Sequence, residues 1–188
     1  MILPEKIDIP FLQQRVGIER DEGSYKLLFV YFHKSLLRFA LSMVKNQEAS
    51  EEIVSDAMMK LWYAKERLLA IENLKLYLFT AVKNASLNYL SRNTKYTSWD
   101  VEYVEIEPSI DLYNPEQIML REELTNTITA AIKELPPKCQ MAYKLVREDG
   151  FSYKDVASIM GISENTVDRH LSNALHKLIK AVRIYVQQ

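Results

Sequence analysis

The polar side chains with the clearest chemical pattern lie near the C-terminus. Asn165, Arg169, Ser172 and His176 follow one another at spacings of four, three and four residues, which places them on one side of a helix. Amide, guanidinium and hydroxyl groups in such a row can bond base edges and phosphates. The pattern indicates a helix that enters the major groove of DNA, and its candidate contacts are Ser163, Asn165, Thr166, Arg169, His170, Ser172, Asn173 and His176.

The residues before this row complete a helix-turn-helix pattern. Ser152 and Asp155 match a capping box, Gly161 permits a tight turn, and Ser163 can cap the next helix. The opposite face of that helix carries the residues that we expect in the core, namely Val167, Leu171, Ala174, Leu175, Leu178 and Val182. A generic helical hairpin would explain the same fold without DNA, so the polar outer row is what favours a DNA-binding function.

A second row of uncharged polar residues is predicted on a helix from about Asn73 to Arg92. Its inward face holds Leu74, Leu78, Ala81, Val82, Ala85 and Tyr89, and its outer face holds Asn73, Tyr77, Thr80, Asn84, Asn88 and Ser91. Lys83 and Arg92 lie outside the apolar stripe. Amides that can read base edges, beside cations that attract phosphates, suit DNA whose bases are partly unstacked. An ordinary solvated helix face would show the same residues.

The composition predicts an all-α fold with an uneven distribution of charge. Only 4 glycines and 6 prolines occur among 188 residues, and no run alternates polar with β-branched residues. The formal net charge is −1, yet residues 60–96 carry seven Lys/Arg against two Glu, whereas residues 97–120 carry six acidic residues and no basic one. Residues 133–183 are basic again. Two basic blocks that flank an acidic connector favour contact between the blocks and a polyanion.

Amphipathic segments place the helices on either side of this connector. Apolar residues recur at helical spacing over residues 25–43, and a second helix is expected to start at Ser50 after a break at Asn46. Another helix is expected over residues 120–135, where Pro136-Pro137 stops it, and one more over residues 138–148. Residues 93–114 show no sustained period and therefore read as a linker.

Several classes of protein do not fit these residues. The N-terminus lacks a signal-peptide pattern and the single cysteine, Cys139, excludes an internal disulfide, so we expect a cytoplasmic protein. Lys34 and Arg38 interrupt the most apolar window, so we expect no membrane span. The three histidines have no metal-ligand spacing and the glycines form no phosphate loop, so we expect no enzyme, metal, cofactor or small-molecule substrate. Cys139 is interpreted as a small buried residue.

Three segments, in this order, resemble the successive regions of extracytoplasmic-function (ECF) sigma factors of the sigma-70 family: IVSDAMMKLW, NLKLYLFTAVKNASLNYL and ELPPKCQMAYKLVREDGFSYKDVASIMGISENTVDRHL. The resemblance spans roughly residues 25–182 and is closest to the variety abundant in Bacteroidetes. It implies two small helical domains, a sigma region 2 bundle at residues 21–95 and a sigma region 4 helix-turn-helix domain at residues 117–188. An acidic linker at residues 96–116 would join them, and residues 1–20 match nothing and are assigned to an N-terminal extension.

The resemblance also implies roles and partners. Region 2 would bind RNA polymerase core through Glu52, Asp56, Lys60, Leu61 and Trp62. The loop from Glu66 to Asn73 would hold a flipped base of the minus-ten element, with further DNA contacts from Asn73, Tyr77, Lys83, Asn84, Asn88 and Arg92. Extruding a base costs a few kcal/mol, so protein contacts must compensate. Region 4 would bind the minus-thirty-five element of promoter DNA as duplex, the acidic linker would run near the polymerase active site, and an anti-sigma factor, often membrane-anchored, would hold the chain inactive.

Two residues depart from the family pattern, and one rival family shares part of it. Asp168 stands where many members have a basic residue, and Asn165 stands where many have a small one, which leaves the bases that are read open. A helix-turn-helix regulator of the LuxR or response-regulator type has a similar output domain, but it would need a sensor domain upstream. The first ninety residues lack the alternating strands of a receiver domain. The helix that bears Glu52 could also serve packing alone.

Overall fold

The protein is described by a computed structural model over residues 7–93 and 125–186. Within these residues the regular structure is helical and contains no strand, which confirms the all-α prediction. The chain divides into two compact units, Met1–Val104 and Glu105–Gln188, each of which is helical. The predicted acidic linker at residues 96–116 lies outside the described residues.

The first unit is a bundle of three long helices preceded by a short N-terminal segment. Its elements are α1 (Ile9–Gln14), a π-helical turn (Arg15–Glu19), α2 (Glu22–Val44), α3 (Gln47–Tyr63), a 3-10 turn (Lys65–Ala70) and α4 (Leu74–Asn93). Helix α2 packs on both α3 and α4. The core holds the fully buried side chains of Leu28, Phe32, Leu36, Val54, Met58, Leu61, Leu78 and Phe79. Burial of each such side chain contributes about 1.5–3 kcal/mol, so these residues hold the bundle together.

Helix α2 is apolar enough to cross a membrane by length and composition, since an 18-residue window has a mean hydropathy of 1.4. Lys34 and Arg38 were expected to make this segment too polar for a membrane span. That expectation is corrected, because the mean hydropathy of the window is high enough despite these two charges. Half of the window is buried inside the protein, where the helix packs on α3 and α4. The Phe39 ring of α2 lies 5.1 Å from the Phe79 ring of α4. A central core helix needs the same composition, so the hydropathy is explained by packing within the bundle.

The start of α3 differs from the predicted one by a turn. The helix begins at Gln47, because the side chain of Asn46 accepts the backbone N–H of Ala49 at 2.9 Å and caps it. Ser50, the predicted cap, is buried, and its hydroxyl donates to the carbonyl of Asn46 at 2.7 Å. The preceding helix ends at Lys45, whose backbone is left-handed, so Asn46, which was expected to break that helix, instead begins the next one.

Residues 7–20, which belong to the predicted N-terminal extension, pack on the first unit. Leu12 and Val16 are buried, one helical turn apart. Arg15 forms ion pairs with Glu19 at 3.1 Å and with Asp21 at 3.3 Å. Asp21 in turn caps α2 by accepting the N–H of Ser24 at 2.7 Å, and these hydrogen bonds hold the pKa of its carboxyl below the usual value. Residues 1–6 lie outside the described residues.

The described part of the second unit consists of helix α5 (residues 125–133), α6 (Pro137–Arg147), α7 (Tyr153–Met160) and α8 (Glu164–Val186). Helix α8 packs on α6 and α7. The predicted capping box is present, with Ser152 and Asp155 bonding each other's backbone N–H groups, and Gly161 ends α7 with a φ of 67°. Pro137 occupies the first turn of α6, where its missing N–H costs nothing. The predicted helix start near Leu120 lies outside the described residues.

Candidate nucleic-acid interface

The outer face of α8 carries the predicted polar row and is open to solvent. Asn165, Arg169, Ser172, Asn173 and His176 are all exposed. The opposite face is buried, with Val167, Leu171, Ala174 and Leu178 in the core. The helix therefore presents amide, guanidinium, hydroxyl and imidazole groups outward from a rigid support, which is the geometry that a groove-reading helix requires.

Ser163 and Thr166 lie at the N-terminus of α8 and are engaged in capping it. The hydroxyl of Ser163 accepts the backbone N–H of Thr166 at 3.2 Å and lies 2.8 Å from the hydroxyl of Thr166. The exposed N-terminus of a helix carries partial positive charge and unpaired N–H groups, so it attracts phosphate. These two residues support the predicted surface through the helix end that they organise.

His170 is placed differently from the other residues of the predicted interface. Its ring is half-buried, and Nδ1 lies 3.2 Å from the sulfur of Cys139 on α6. Burial, together with the charges of Lys138 and Arg169, lowers the pKa of His170 and so favours the uncharged ring. Burial likewise raises the pKa of the Cys139 thiol. His170, which was named among the candidate DNA contacts, thus contacts α6, and Cys139 is buried as expected.

Leu175 was expected in the core but is 51% exposed. The residues described as packing on α8 lie on α6, on α7 and around Leu135, and they cover the side of the helix that carries Ala174. Leu175 follows Ala174 directly and therefore lies about 100° around the helix from it, beyond the covered side. Val182 is half-buried at the end of the same stripe.

The outer face of α4 carries the second polar row. Tyr77, Asn84, Asn88, Ser91 and Arg92 are exposed, and Lys83 and Thr80 are half-buried. Asn73 precedes the helix, and its side chain accepts the N–H of Leu76 at 3.0 Å, so it caps α4. Spacings of seven, four and four along this face place Tyr77, Asn84, Asn88 and Arg92 close to one line, with cations beside amides.

The inward face of α4 is only partly as predicted. Leu74, Leu78 and Val82 are buried, whereas Ala81, Ala85 and Tyr89 are half-buried. Phe79 and Ser86, which the apolar period did not select, are fully buried. The buried stripe is therefore displaced toward Phe79, because this aromatic ring packs against Phe39 of α2.

Helix α3 carries the residues predicted to bind RNA polymerase core. Glu52, Asp56 and Lys60 are exposed and lie one turn apart along one face. Leu61 is completely buried in the bundle, so it cannot contact a partner on this surface. This corrects its assignment as a contact residue.

Trp62 is half-buried and is covered by Arg20, a residue that sequence reasoning missed. The guanidinium of Arg20 lies 4.0 Å above the Trp62 ring, and an Arg20 N–H donates to the Trp62 carbonyl. The ring of Tyr25 lies 5.0 Å from that of Trp62. No local pattern marks this contact, since Arg20 is 42 residues away and stands in the left-handed conformation at the end of the π-helical turn. Trp62 is thus held in one orientation by its neighbours.

The loop between α3 and α4 begins with the 3-10 turn Lys65–Ala70. Leu68 is completely buried and anchors the turn in the bundle, whereas Arg67, Leu69 and Glu72 are exposed. Among the described residues no group of three His, Cys, Asp or Glu side chains could hold a metal ion.

Two family models match the chain, one on each unit. Residues 28–96 match Sigma-70 region 2, and residues 125–178 match Sigma-70, region 4. A similar protein is the ECF RNA polymerase sigma-E factor of Escherichia coli strain K12, which is 26% identical and is covered over 94% of this chain and 98% of the relative. The RNA polymerase sigma-H factor of Pseudomonas aeruginosa is 24% identical, over 87% of this chain and 88% of the relative.

Two solved structures share the fold. The sigma factor RpoE from Bartonella quintana, solved in complex with the anti-sigma factor NepR, aligns with a TM-score of 0.57 at 24% identity over 85% of this chain and 97% of that one. CnrH, solved in complex with the cytosolic domain of CnrY, aligns with a TM-score of 0.55 at 15% identity over 93% and 97%. The match of the first unit to region 2 does not favour the LuxR or response-regulator alternative.

Proposed function

Because this chain belongs to the sigma-70 family, as an ECF sigma factor that directs transcription initiation, we propose that its two units bind the two promoter elements separately. The observation that carries the proposal is that each matched region presents an exposed polar row: Asn84, Asn88 and Arg92 on α4, and Asn165, Arg169 and His176 on α8. The domains are proposed at residues 21–95 and 117–188, with residues 7–20 joined to the first.

The second unit is proposed to bind the minus-thirty-five element as duplex DNA. Arg169 is the principal contact, because its exposed guanidinium can bond a guanine edge or a phosphate with two parallel N–H groups. Asp168 and Glu164 are exposed on the same helix and oppose phosphate binding. Because these carboxylates weaken phosphate binding, recognition of the element is expected to depend on a few good base contacts, each of which discriminates by about 1–3 kcal/mol.

The first unit is proposed to bind the minus-ten element after its strands have separated. The loop of residues 66–73 holds a flipped base, and the exposed amides of Asn84 and Asn88 contact neighbouring bases. Lys83 and Arg92 neutralise phosphates. Asn84 is the foremost candidate for a base contact, since it follows a basic residue, as in the family motif.

The exposed face of α3 is proposed to bind RNA polymerase core through Glu52, Asp56 and Lys60. Half-buried Trp62 is included in this surface, and Leu61 acts from inside by keeping α3 packed in the bundle. By analogy with the sigma factors solved with NepR and with the cytosolic domain of CnrY, we propose an anti-sigma partner for this chain. The proposal places the protein in the cytoplasm without a catalytic site of its own.

Transcription in vitro tests this function directly. Purified full-length protein is added to RNA polymerase core that lacks any other sigma subunit, with a library of genomic promoter fragments as template. We expect transcripts from a limited set of fragments, which share two conserved elements, and none without the protein. A protein that binds duplex DNA alone but never activates core polymerase would instead act as a LuxR-type regulator.

A further inference from the structure

Gln13 is a buried polar residue of α1 whose side chain is bonded to the loop between α3 and α4. It is only 7% exposed, and its Nε2 amide donates to the carbonyl of Leu68 at 2.6 Å and to the carbonyl of Ile71 at 2.8 Å. The backbone N–H of Ile71 also donates to the Leu68 carbonyl, at 3.2 Å. One amide group therefore ties together the two carbonyls that close the end of the 3-10 turn.

A second contact from the same segment meets the start of that turn. A Cβ atom at Gly17 would lie 3.1 Å from the carbonyl oxygen of Lys65 and 3.5 Å from a methyl group of Leu69. The backbone of the N-terminal segment thus lies so close to the loop that a Cβ atom at Gly17 would require the Lys65 carbonyl to shift by a few tenths of an ångström. Ion pairs from Arg15 to Glu19 and Asp21 hold this segment in shape.

The loop has little else that is buried to hold its conformation. Leu68 is the buried side chain of the 3-10 turn, whereas Arg67 and Glu72 are exposed, and Leu69 is 46% exposed with one methyl group close to Gly17. When the exposed residues of a turn bind a ligand, the conformation of the turn must be held from its buried side by groups that form hydrogen bonds with its backbone. Gln13 supplies such bonds from a position 55 residues away in the chain.

We propose that Gln13 is a positioning residue for base capture, and that its two hydrogen bonds, together with the close approach of Gly17, set the shape that the loop of residues 66–73 offers to a flipped base. The inference rests on the proposed role of that loop. Extruding a base from its stack costs a few kcal/mol, so a loop that also had to be ordered on binding would add to that cost. With its carbonyls held by Gln13, the loop has its shape before the DNA arrives.

Base preference at each position of the minus-ten element tests the inference. A promoter randomised across this element is transcribed with core polymerase and full-length protein, and the transcribed templates are sequenced. Gln13→Leu keeps the volume of the side chain and removes both donors, so we expect discrimination at one position to fall by about tenfold, because two hydrogen bonds of ordinary strength are lost. Gly17→Ala, which pushes on the carbonyl of Lys65, should reduce preference at that same position.

Leu12→Ala is the matched control, since Leu12 is buried on the same helix but contacts no loop carbonyl by hydrogen bond. It should lower the melting temperature and leave base preference unchanged. Hydrogen exchange should show faster exchange of residues 66–73 in Gln13→Leu, with α2 and α4 unchanged, which separates loop release from unfolding. Unaltered preference at every position in a folded Gln13→Leu variant would overturn the inference. A wild-type protein without any base preference in this element would refute the proposed site itself.

Discussion

Substitution of Gly161 by alanine isolates the contribution of one backbone conformation to the helix-turn-helix. Gly161 has a φ of 67°, and its N–H donates to the carbonyl of Ala157 at the end of α7. A Cβ atom added here would meet no described atom within 4 Å. Steric clash with neighbours is therefore absent, and the cost of the substitution is the strain of holding an alanine in the left-handed region, about 1–2 kcal/mol. The free energy of unfolding of the second unit should fall by that amount.

Hydrogen–deuterium exchange of the full-length protein measures this loss in the unit concerned. A loss of about 1–2 kcal/mol corresponds to a decrease of about 5–30-fold in the protection of the slowest amides of α7 and α8. The amides of α2 and α4 should exchange at unchanged rates, because the substitution lies in the other unit. Gly161→Asn should lose less protection, since asparagine tolerates the left-handed conformation better than alanine.

Gly150→Ala is the matched variant for this test. Gly150 has the same φ of 67° and the same open surroundings, so the same strain of about 1–2 kcal/mol is expected. An unchanged exchange pattern in Gly161→Ala, or a loss in only one of the two alanine variants, would show that backbone strain does not govern the turn.

Four further perturbations address the two interfaces and the two cores. Arg169→Ala should weaken binding to the minus-thirty-five element and, if the contact is to phosphate, reduce the slope of log affinity against log salt by about one unit; footprinting at several salt concentrations measures both. Asn84→Ala should slow promoter opening, which is measured by permanganate reactivity of the unpaired bases, and should leave the affinity for core polymerase unchanged. An equal loss of promoter opening and of core-polymerase affinity would contradict the assignment. His170 has a pKa below its unfolded value of 6.5, because burial and the charges of Lys138 and Arg169 disfavour its protonated form, so the second unit should lose stability as the pH falls below about 6.5. Its melting curve should depend less on pH in His170→Gln, and an equal dependence would exclude this residue. Ser86→Ala should raise the free energy of unfolding of the first unit by about 1 kcal/mol, since the Ser86 hydroxyl is buried without a hydrogen-bond partner among the described residues; denaturant unfolding checks the sign.

Sequence reasoning succeeded where the determining interactions are local. The capping box of Ser152 and Asp155, the glycine turn at Gly161 and the polar outer row of α8 all involve residues within a few positions of one another. Each depends on backbone geometry that neighbouring residues set by themselves. The order of the helices and the solvent-facing side of α4 were predicted for the same reason.

Helix boundaries were less certain wherever two candidate caps lie within one turn. Asn46 and Ser50 are both good capping residues, and the segment around them is compatible with either. Packing decided between them, because the side of α3 that carries Ser50 is buried and its hydroxyl can bond only within the helix. Leu175 shows that an apolar side chain at a predicted core position can still remain exposed, because burial also requires a neighbouring helix that covers it.

The amino-acid sequence by itself determined which segments are helical, where the helix-turn-helix lies and which family the chain resembles, since these follow from patterns that repeat within a turn or two. Only the tertiary structure decided that Gln13 bonds the loop carbonyls, that Arg20 covers Trp62 and that His170 turns toward Cys139. Partners in these contacts are separated by 31 to 58 residues. The helical period of apolar residues shows which face of a helix will be buried. It does not show which side chains will cover that face, because the packing of the helices selects them.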